Sequence, residues 1–132
     1  MKSKNSFEVR DNYLYVKIIG KFEPSIARDD ISEFIEKAIK HNLRKILCDL
    51  TSLTGFDEVD ISFMTKFDLA EFASNSMPLG FRLAILGTSQ QLSGDIGETV
   101  MSNRGVLVKS TSNLQEALEW LGVAAGDKLS GN

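Results

Sequence analysis

The sequence predicts an α/β fold with a single mixed, mainly parallel β-sheet of about five strands and four helices. Apolar β-rich segments alternate with segments whose apolar residues recur at helical spacing, in the order ββαβαβαβα. Repeated strand–helix–strand units imply parallel strands with right-handed crossovers. Of the 132 residues, 42% are hydrophobic and 25% are charged, which is ordinary for one globular domain.

The first two strands are predicted to form a hairpin. Residues 7–10 and 13–19 are rich in β-forming types, and Asp11 and Asn12 between them tolerate the backbone of a tight turn. Because a tight hairpin joins antiparallel strands, the first strand should lie at an edge of the sheet.

The first helix is predicted to begin near Pro24 and to end at Asn42. Proline suits the first helical turn, where its missing N–H would have no intrahelical partner. Its apolar residues form one buried stripe, namely Ile31, Phe34, Ile35, Ala38 and Ile39. Residues 45–50 follow as a buried third strand.

The second helix is predicted over residues 56–73, after a short polar loop. Its core-facing stripe, at about 100° per residue, consists of Phe56, Val59, Phe63, Phe67 and Ala70. Ile61 and Phe72 fall nearly opposite, with Thr65 between them and with Met64 and Leu69 on their flanks. A cluster of this size on a surface helix indicates a contact surface. Alternatively, neighbouring elements fold over it.

The remaining elements continue the alternation. A strand is predicted over residues 81–86, a helix with interior glycines over 88–103, and a short strand over 106–108. A final helix should begin near Ser112, whose spacing to Gln115 matches a capping box.

Length, composition and charge indicate the number of domains and argue against a secreted, membrane-spanning or nucleic-acid-binding protein. We expect one domain over residues 1–122 and a flexible tail over 123–132. No apolar run approaches the roughly 20 residues that span a bilayer, and the first residues lack the apolar core of a secretory signal. The single cysteine, Cys48, has no partner for an internal disulfide, so we expect a cytoplasmic protein. A net charge of −3 with both signs interspersed gives no indication of nucleic-acid binding.

The sequence contains little catalytic equipment. The single histidine, His41, lies at the polar end of the first helix, which excludes a His-based triad or a multi-histidine metal site. No phosphate-binding glycine loop with its lysine occurs. Cys48 lies on a buried strand, which favours a core residue over a nucleophile. We therefore expect no enzyme activity, no cofactor and no metal.

Asp57, Glu58 and Asp60 are the most prominent candidate site residues. They follow the carboxyl end of the third strand, where α/β proteins usually build their sites. As parts of a helix start, Asp57 is the N-cap and the other two complement the helix dipole. An acid–base role would require a cleft that raises the pKa of one carboxyl, and the sequence supplies no partner for that chemistry.

This region of the chain resembles the STAS domain, the fold of the bacterial anti-sigma factor antagonists, which also occurs on sulfate transporters. Residues 47–51, Leu-Cys-Asp-Leu-Thr, are similar to the family's strand ending in Asp-Leu-Ser. Eight residues beyond Asp49, Asp57 matches the first position of the family's helix start D-S-[SAT]-G-[LI], and Ile61 matches its last position. The resemblance covers about residues 7–121.

Two further segments are similar to the divergent SpoIIAA-like group of this family. They are Gly55-Phe56 and residues 117–121, Ala-Leu-Glu-Trp-Leu, in the predicted last helix. The resemblance implies the fold and a regulatory role in binding other proteins.

The chain departs from the family at the position that is phosphorylated. In the antagonists, a partner kinase phosphorylates the serine after the first Asp of the helix start, and the added charge releases that partner. Glu58 stands at this position, and Asp60 replaces the family's glycine. Ser62, about one helical turn further on, is either a displaced acceptor or an ordinary helix serine. The resemblance therefore implies the fold without the phosphoacceptor.

Three functions are compatible with the sequence. The favoured one is a non-enzymatic regulatory module that binds a protein partner, a kinase or an anti-sigma-like regulator, or a second copy of the chain. The residues predicted to make this contact are Asp57, Glu58, Asp60, Ile61, Ser62, Met64, Thr65 and Phe72. The alternative is a carrier or sensor of a small apolar ligand or lipid, with peripheral membrane binding as a variant. It predicts a cavity lined by residues such as Phe63, Phe67 and Leu92. An enzyme that uses a carboxylate ranks well behind.

Overall fold

The fold is built around one sheet with helices on both faces. The computed structural model describes residues 4–10, 12–55, 63–92 and 96–123. Its strands are β1 (Lys4–Val9), β2 (Leu14–Lys21), β3 (Lys45–Asp49), β4 (Leu53–Thr54), β5 (Arg82–Leu86) and β6 (Leu107–Thr111). Its helices are α1 (Pro24–Lys40), α2 (Phe63–Ser76), α3 (Ile96–Asn103) and α4 (Leu114–Leu121).

The sheet is mixed and mainly parallel, as the sequence predicts. Its strand order is β1-β2-β3-β5-β6. β1 pairs antiparallel with β2 and lies at an edge, whereas β2, β3, β5 and β6 are parallel. The short β4 pairs parallel with the end of β2, where Gly20 faces Leu53. β4 is absent from the sequence prediction because two residues cannot show an alternating pattern.

Each face of the sheet carries its own hydrophobic cluster. Helices α1, α2 and α3 cover one face, where Val16, Ile46 and Leu83 belong to the larger cluster. Helix α4 covers the other face, where Leu47 and Ala84 belong to a smaller cluster. Burial on both faces explains why β3 and β5 read as continuous apolar runs rather than alternating ones.

The predicted stripe of α1 is confirmed except at its end. Phe34, Ile35 and Ala38 are buried and Ile31 packs against the same cluster. Ile39 is 54% exposed, so its place in the stripe is wrong. It lies in the last turn of the helix, one residue beyond the buried Ala38.

Two helix boundaries differ from the sequence prediction. Helix α2 continues to Ser76, three residues further than predicted, and residues 56–62 lie outside the described ranges. Residues 89–92 form turns where the sequence predicts the start of a helix, residues 93–95 lie outside the described ranges, and α3 is described from Ile96. The cause is local, because the side chains of Thr88 and Gln91 each accept a hydrogen bond from the other residue's backbone N–H.

Helix α4 begins one residue later than the predicted capping box implies. Asn113 is the N-cap, and its side chain accepts a hydrogen bond from the Glu116 N–H at 2.9 Å. The hydroxyl of Thr111 accepts from the Asn113 N–H, which fixes the entry of the chain into the helix. The predicted pairing of Ser112 with Gln115 is therefore wrong.

The end of the described chain belongs to the second cluster. Gly122 ends α4 in the left-handed conformation, with φ of 76°. Val123, the first residue of the predicted tail, packs against the cluster under α4. The rest of that predicted tail, residues 124–132, lies outside the described residues.

Candidate functional site

Asp49 fixes the direction of the chain where it leaves β3. This carboxylate is buried and accepts three hydrogen bonds: two from the backbone N–H (2.9 Å) and hydroxyl (2.6 Å) of Thr51, and one from the Tyr15 hydroxyl (2.6 Å). Burial and the bond to Asp49 raise the pKa of Tyr15 above its ordinary value. The aspartate of the family-like motif therefore acts as a loop anchor.

Gln91 joins the loop after β5 to the loop after β3. Its Nε2 donates to the backbone oxygens of Leu50 (2.7 Å) and Leu53 (3.0 Å), and its Oε1 accepts from the Thr88 N–H (2.8 Å). The side chain is almost fully buried, so these bonds satisfy an amide that water cannot reach. A Cβ at Gly87 would lie 2.9 Å from Gln91 Oε1, so the glycine makes room for this contact. The sequence did not reveal Gln91, because a single glutamine in a turn has no recognisable pattern.

The predicted contact residues divide into two groups. Asp57, Glu58, Asp60, Ile61 and Ser62 lie outside the described residues. Met64, Thr65 and Phe72 lie on α2. Met64 is 57% exposed, whereas Thr65 and Phe72 are half-buried.

Only part of the predicted outer face of α2 is open. The Arg28 guanidinium of α1 lies 5.4 Å from the centroid of the Phe72 ring, so α1 partly covers that position. Leu69 packs against the larger cluster, so its predicted place on the outer face is wrong. It lies on the same face of α2 as the buried Ala73, four residues further along the helix. Among the described apolar residues of α2, Met64 is thus the most exposed.

A cavity of about 170 Å³ lies between the sheet and α1, α2 and α3. Its floor is formed by strand residues that include Ile18, Cys48 and Leu83, and its rim includes the exposed Lys21 and Glu23. The walls include Phe34 from α1, Leu69, Ala70 and Ala73 from α2, and Met101 from α3.

Of the lining residues predicted from the sequence, Leu92 is confirmed, whereas Phe67 is wrong because it does not line the cavity. The side chain of Phe63 lies outside the described set.

Small side chains leave this space open. Ala70 and Ala73 face it from α2, and a Cβ built at Gly97 of α3 would meet no atom within 4 Å. Cys48 is confirmed as a core residue, and burial raises the pKa of its thiol to about 12. At neutral pH the cavity floor therefore presents a neutral, weakly polar thiol rather than a nucleophilic thiolate.

The described part of the chain shows neither a cluster of metal ligands nor a membrane-spanning helix. His41 forms the C-cap of α1 at the surface. Among the described residues, no three His, Cys, Asp or Glu side chains come together as a metal site. None of the helices in these ranges is long and apolar enough to cross a membrane.

Solved structures with the same architecture define the class of fold. An anti-sigma factor antagonist from Mycobacterium paratuberculosis matches with a TM-score of 0.61 and 11% identity, over 92% of this chain and 96% of its own. An uncharacterized protein of the DUF3478 family from Shewanella loihica, described as having a SpoIIAA-like fold, matches with a TM-score of 0.53 and 20% identity, over 91% and 93%. The chain therefore has the SpoIIAA-like fold of STAS domains. At these identities the likeness establishes the fold alone.

Comparison of the sequence alone gives no assignment. No protein-family model matches the chain, and no curated protein matches it significantly.

Proposed function

We propose that the protein is a non-enzymatic regulatory module of the STAS type that acts in the cytoplasm by binding a protein partner. Its fold is shared with an anti-sigma factor antagonist, which supports a regulatory class. The partner is a kinase or an anti-sigma-like regulator, and a second copy of the chain is the alternative. The observation that carries the proposal is the exposure of Met64 on α2, the helix that follows β3 and β4 in the chain.

The polar groups at the carboxyl ends of β3 and β5 also support a binding role. The side chains of Asp49 and Gln91 form hydrogen bonds with neighbouring backbone groups and side chains. A buried polar network satisfied in this way stiffens the loops that it joins. A stiff platform costs little entropy when a partner docks, which favours recognition.

The predicted contact residues immediately precede Met64 in the chain. Asp57, Glu58 and Asp60 give this segment three negative charges within four residues. A carboxylate at position 58 carries one charge at neutral pH, whereas a phosphoserine carries roughly −1.5 to −2. Glu58 also has no hydroxyl that a kinase could phosphorylate, so we propose that partner binding is not switched by phosphorylation at this position. Acidic side chains beside an exposed Met suit a partner with a basic rim around an apolar pocket.

The experiment compares two helix variants that place a charge at equally exposed positions. Met64→Glu alters α2, and Ile39→Glu is the matched control because Ile39 is 54% exposed on α1. Each protein is used for affinity purification from cells of its source, and each bound protein is quantified against wild type. We expect Met64→Glu to lower partner recovery at least about tenfold, which corresponds to about 1.4 kcal/mol, and Ile39→Glu to retain it.

One result would decide against this surface, and another would identify the partner. If both variants recover equal amounts of the partner protein, the contact does not involve the surface of α2 around Met64. If light scattering after size exclusion shows a dimer that only Met64→Glu dissociates, the partner is a second copy of the chain.

A second candidate function is a carrier or sensor of a small apolar ligand. The cavity beneath α2 is the observation that favours it, because its described lining is mostly apolar and small-molecule sites are concave and mostly apolar.

A further inference from the structure

We propose that the cavity binds a neutral, apolar molecule of about six to ten non-hydrogen atoms, such as a single aromatic ring with a short substituent. This inference rests on the second candidate function and specifies its ligand. The size follows from the volume, since an engineered cavity of about 150 Å³ in another protein stays dry and binds benzene. The space here measures about 170 Å³ and opens to solvent at a rim that includes Lys21 and Glu23, so the part shielded from water accommodates about one ring.

The polar groups in the lining favour a neutral ligand. Asp30 is buried at the wall of the cavity and accepts a hydrogen bond from Asn5 Nδ2 at 2.6 Å. Its carboxylate disfavours an anion in the same space, because like charges repel more strongly where water is excluded. The amide of Gln91 already bonds to two backbone carbonyls and one N–H. Asp30 and Gln91 are thus already bonded within the protein. Lys66 and Glu98 also line the space and Lys21 and Glu23 lie exposed at its rim, but most of the described lining is aliphatic or aromatic.

The cavity also touches the helix that carries the proposed contact surface. Leu69, Ala70 and Ala73 of α2 line it, and Met64 lies about one and a half turns before Ala70 on the same helix. A ligand that fills the space adds packing contacts to α2 that the empty protein lacks. Ligand occupancy therefore stabilises the helix on which the partner is proposed to dock.

The test uses toluene and indole as probes and the intact protein in solution. Amide chemical shifts are followed by NMR as each probe is added to wild type, and we expect saturable shifts around Cys48 and Ala70 with a Kd of about 1 mM or tighter. Ala70→Leu fills the cavity and should weaken binding at least about tenfold. Ile39→Ala, at an exposed position of α1 outside the cavity, should leave the Kd unchanged. Leu69→Ala enlarges the space and should improve binding of the larger probe, indole, relative to toluene.

Each alternative outcome overturns a defined part of the inference. Ala70→Leu must retain the wild-type far-UV spectrum and a cooperative urea transition, so that lost binding reflects a filled cavity. If wild type shows no saturable shift with either probe, or if folded Ala70→Leu binds as well as wild type, the proposed ligand class is wrong. If decanoate binds and both one-ring probes fail, the carrier function stands and the neutral, one-ring class is wrong.

Discussion

Gln91 joins two loops with three hydrogen bonds, and Gly87 leaves the space that its carbonyl oxygen occupies. The Leu50 oxygen also accepts a hydrogen bond from the Leu53 N–H at 2.9 Å, so Gln91 adds a second bond there and a bond to the Leu53 oxygen. The junction is largely buried, and an unsatisfied polar group in such a place costs about 1–3 kcal/mol. A single amide therefore determines how the chain leaves two neighbouring strands. This arrangement also explains why the turn after β5 does not continue as a helix.

Two glycines give a direct test of these local interpretations. In Gly87→Ala the new Cβ would lie 2.9 Å from Gln91 Oε1 and 3.2 Å from Leu92 Cδ2, so we expect a loss of about 1–3 kcal/mol in the free energy of unfolding. In Gly97→Ala the new Cβ meets nothing within 4 Å and the helix gains propensity, so we expect a gain of up to about 1 kcal/mol. Urea unfolding measures both, and equal effects of the two substitutions would contradict the described packing.

Tyr15 gives the stability of the protein a dependence on alkaline pH. Burial and the bond to Asp49 raise the pKa of its phenol above the ordinary 10.0, so folding favours the neutral phenol. This contribution is complete below pH 10, where the unfolded tyrosine is also neutral, and it is lost as pH rises above that value. We expect wild type to lose more unfolding free energy between pH 9 and about 11.5 than Tyr15→Phe does. Urea unfolding at each pH measures the difference.

The buried thiol of Cys48 also titrates at alkaline pH, but it is present in both proteins of that experiment. Burial raises the pKa of Cys48 to about 12, so its contribution to stability also falls at alkaline pH, but it falls equally in both proteins. The difference between wild type and Tyr15→Phe therefore isolates the phenol. Parallel curves for the two proteins would show that the Tyr15–Asp49 bond does not distinguish the two ionisation states.

At the scale of elements, α4 covers one face of the sheet with only eight residues. Its N-terminus depends on the Asn113 side chain, and its C-terminus ends at Gly122 in the left-handed conformation. A helix this short has little stability of its own, so its caps and its buried stripe hold it in place.

The cap prediction distinguishes two neighbouring residues. Asn113→Ala removes the acceptor of the Glu116 N–H and should lower the free energy of unfolding by about 1 kcal/mol. Ser112→Ala removes an exposed hydroxyl and should change it by less than about 0.5 kcal/mol. Urea unfolding of both variants checks the assignment, and the reverse order of effects would restore Ser112 as the cap.

The elements differ in how much of their structure the sequence could predict. Long periodic segments were predictable, as the burial of Phe34, Ile35 and Ala38 on α1 shows. β4 was not predictable, because Leu53 and Thr54 pair with β2 through backbone bonds that any residue types can make. The start of α4 was misplaced because Ser112 and Asn113 are both good capping residues, and the hydroxyl of Thr111 favours Asn113.

The sequence predicted only part of the candidate site. The alternative function, a carrier of a small apolar ligand, implied a cavity between sheet and helices, and Leu92 does line the cavity. It misplaced Phe67, which packs against the larger cluster under the guanidinium of Arg104, 5.6 Å from the ring centroid. A helical projection gives the direction of a side chain but not the neighbour that it meets. Asp57, Glu58 and Asp60 remain predictions.

At the scale of the whole molecule, the sheet separates two environments of different kind. The face under α4 is closed by Tyr13, Leu47 and Leu121, which are fully buried. The opposite face carries three helices and retains a cavity beneath α2. The loops at the carboxyl end of the parallel strands lie beside that cavity, joined by Gln91. One helix therefore connects the space for an apolar ligand with the surface proposed to bind a partner.

The central claim is that α2 contacts a protein partner through the surface around Met64. The most direct measurement introduces a photo-crosslinking amino acid at position 64, and separately at position 39, and irradiates cells that express each protein. The proposal predicts one defined adduct from position 64, either with a distinct protein or with a second copy of the chain, and no matching adduct from position 39. If position 64 gives no adduct, or the same adducts as position 39, then α2 is not the docking surface.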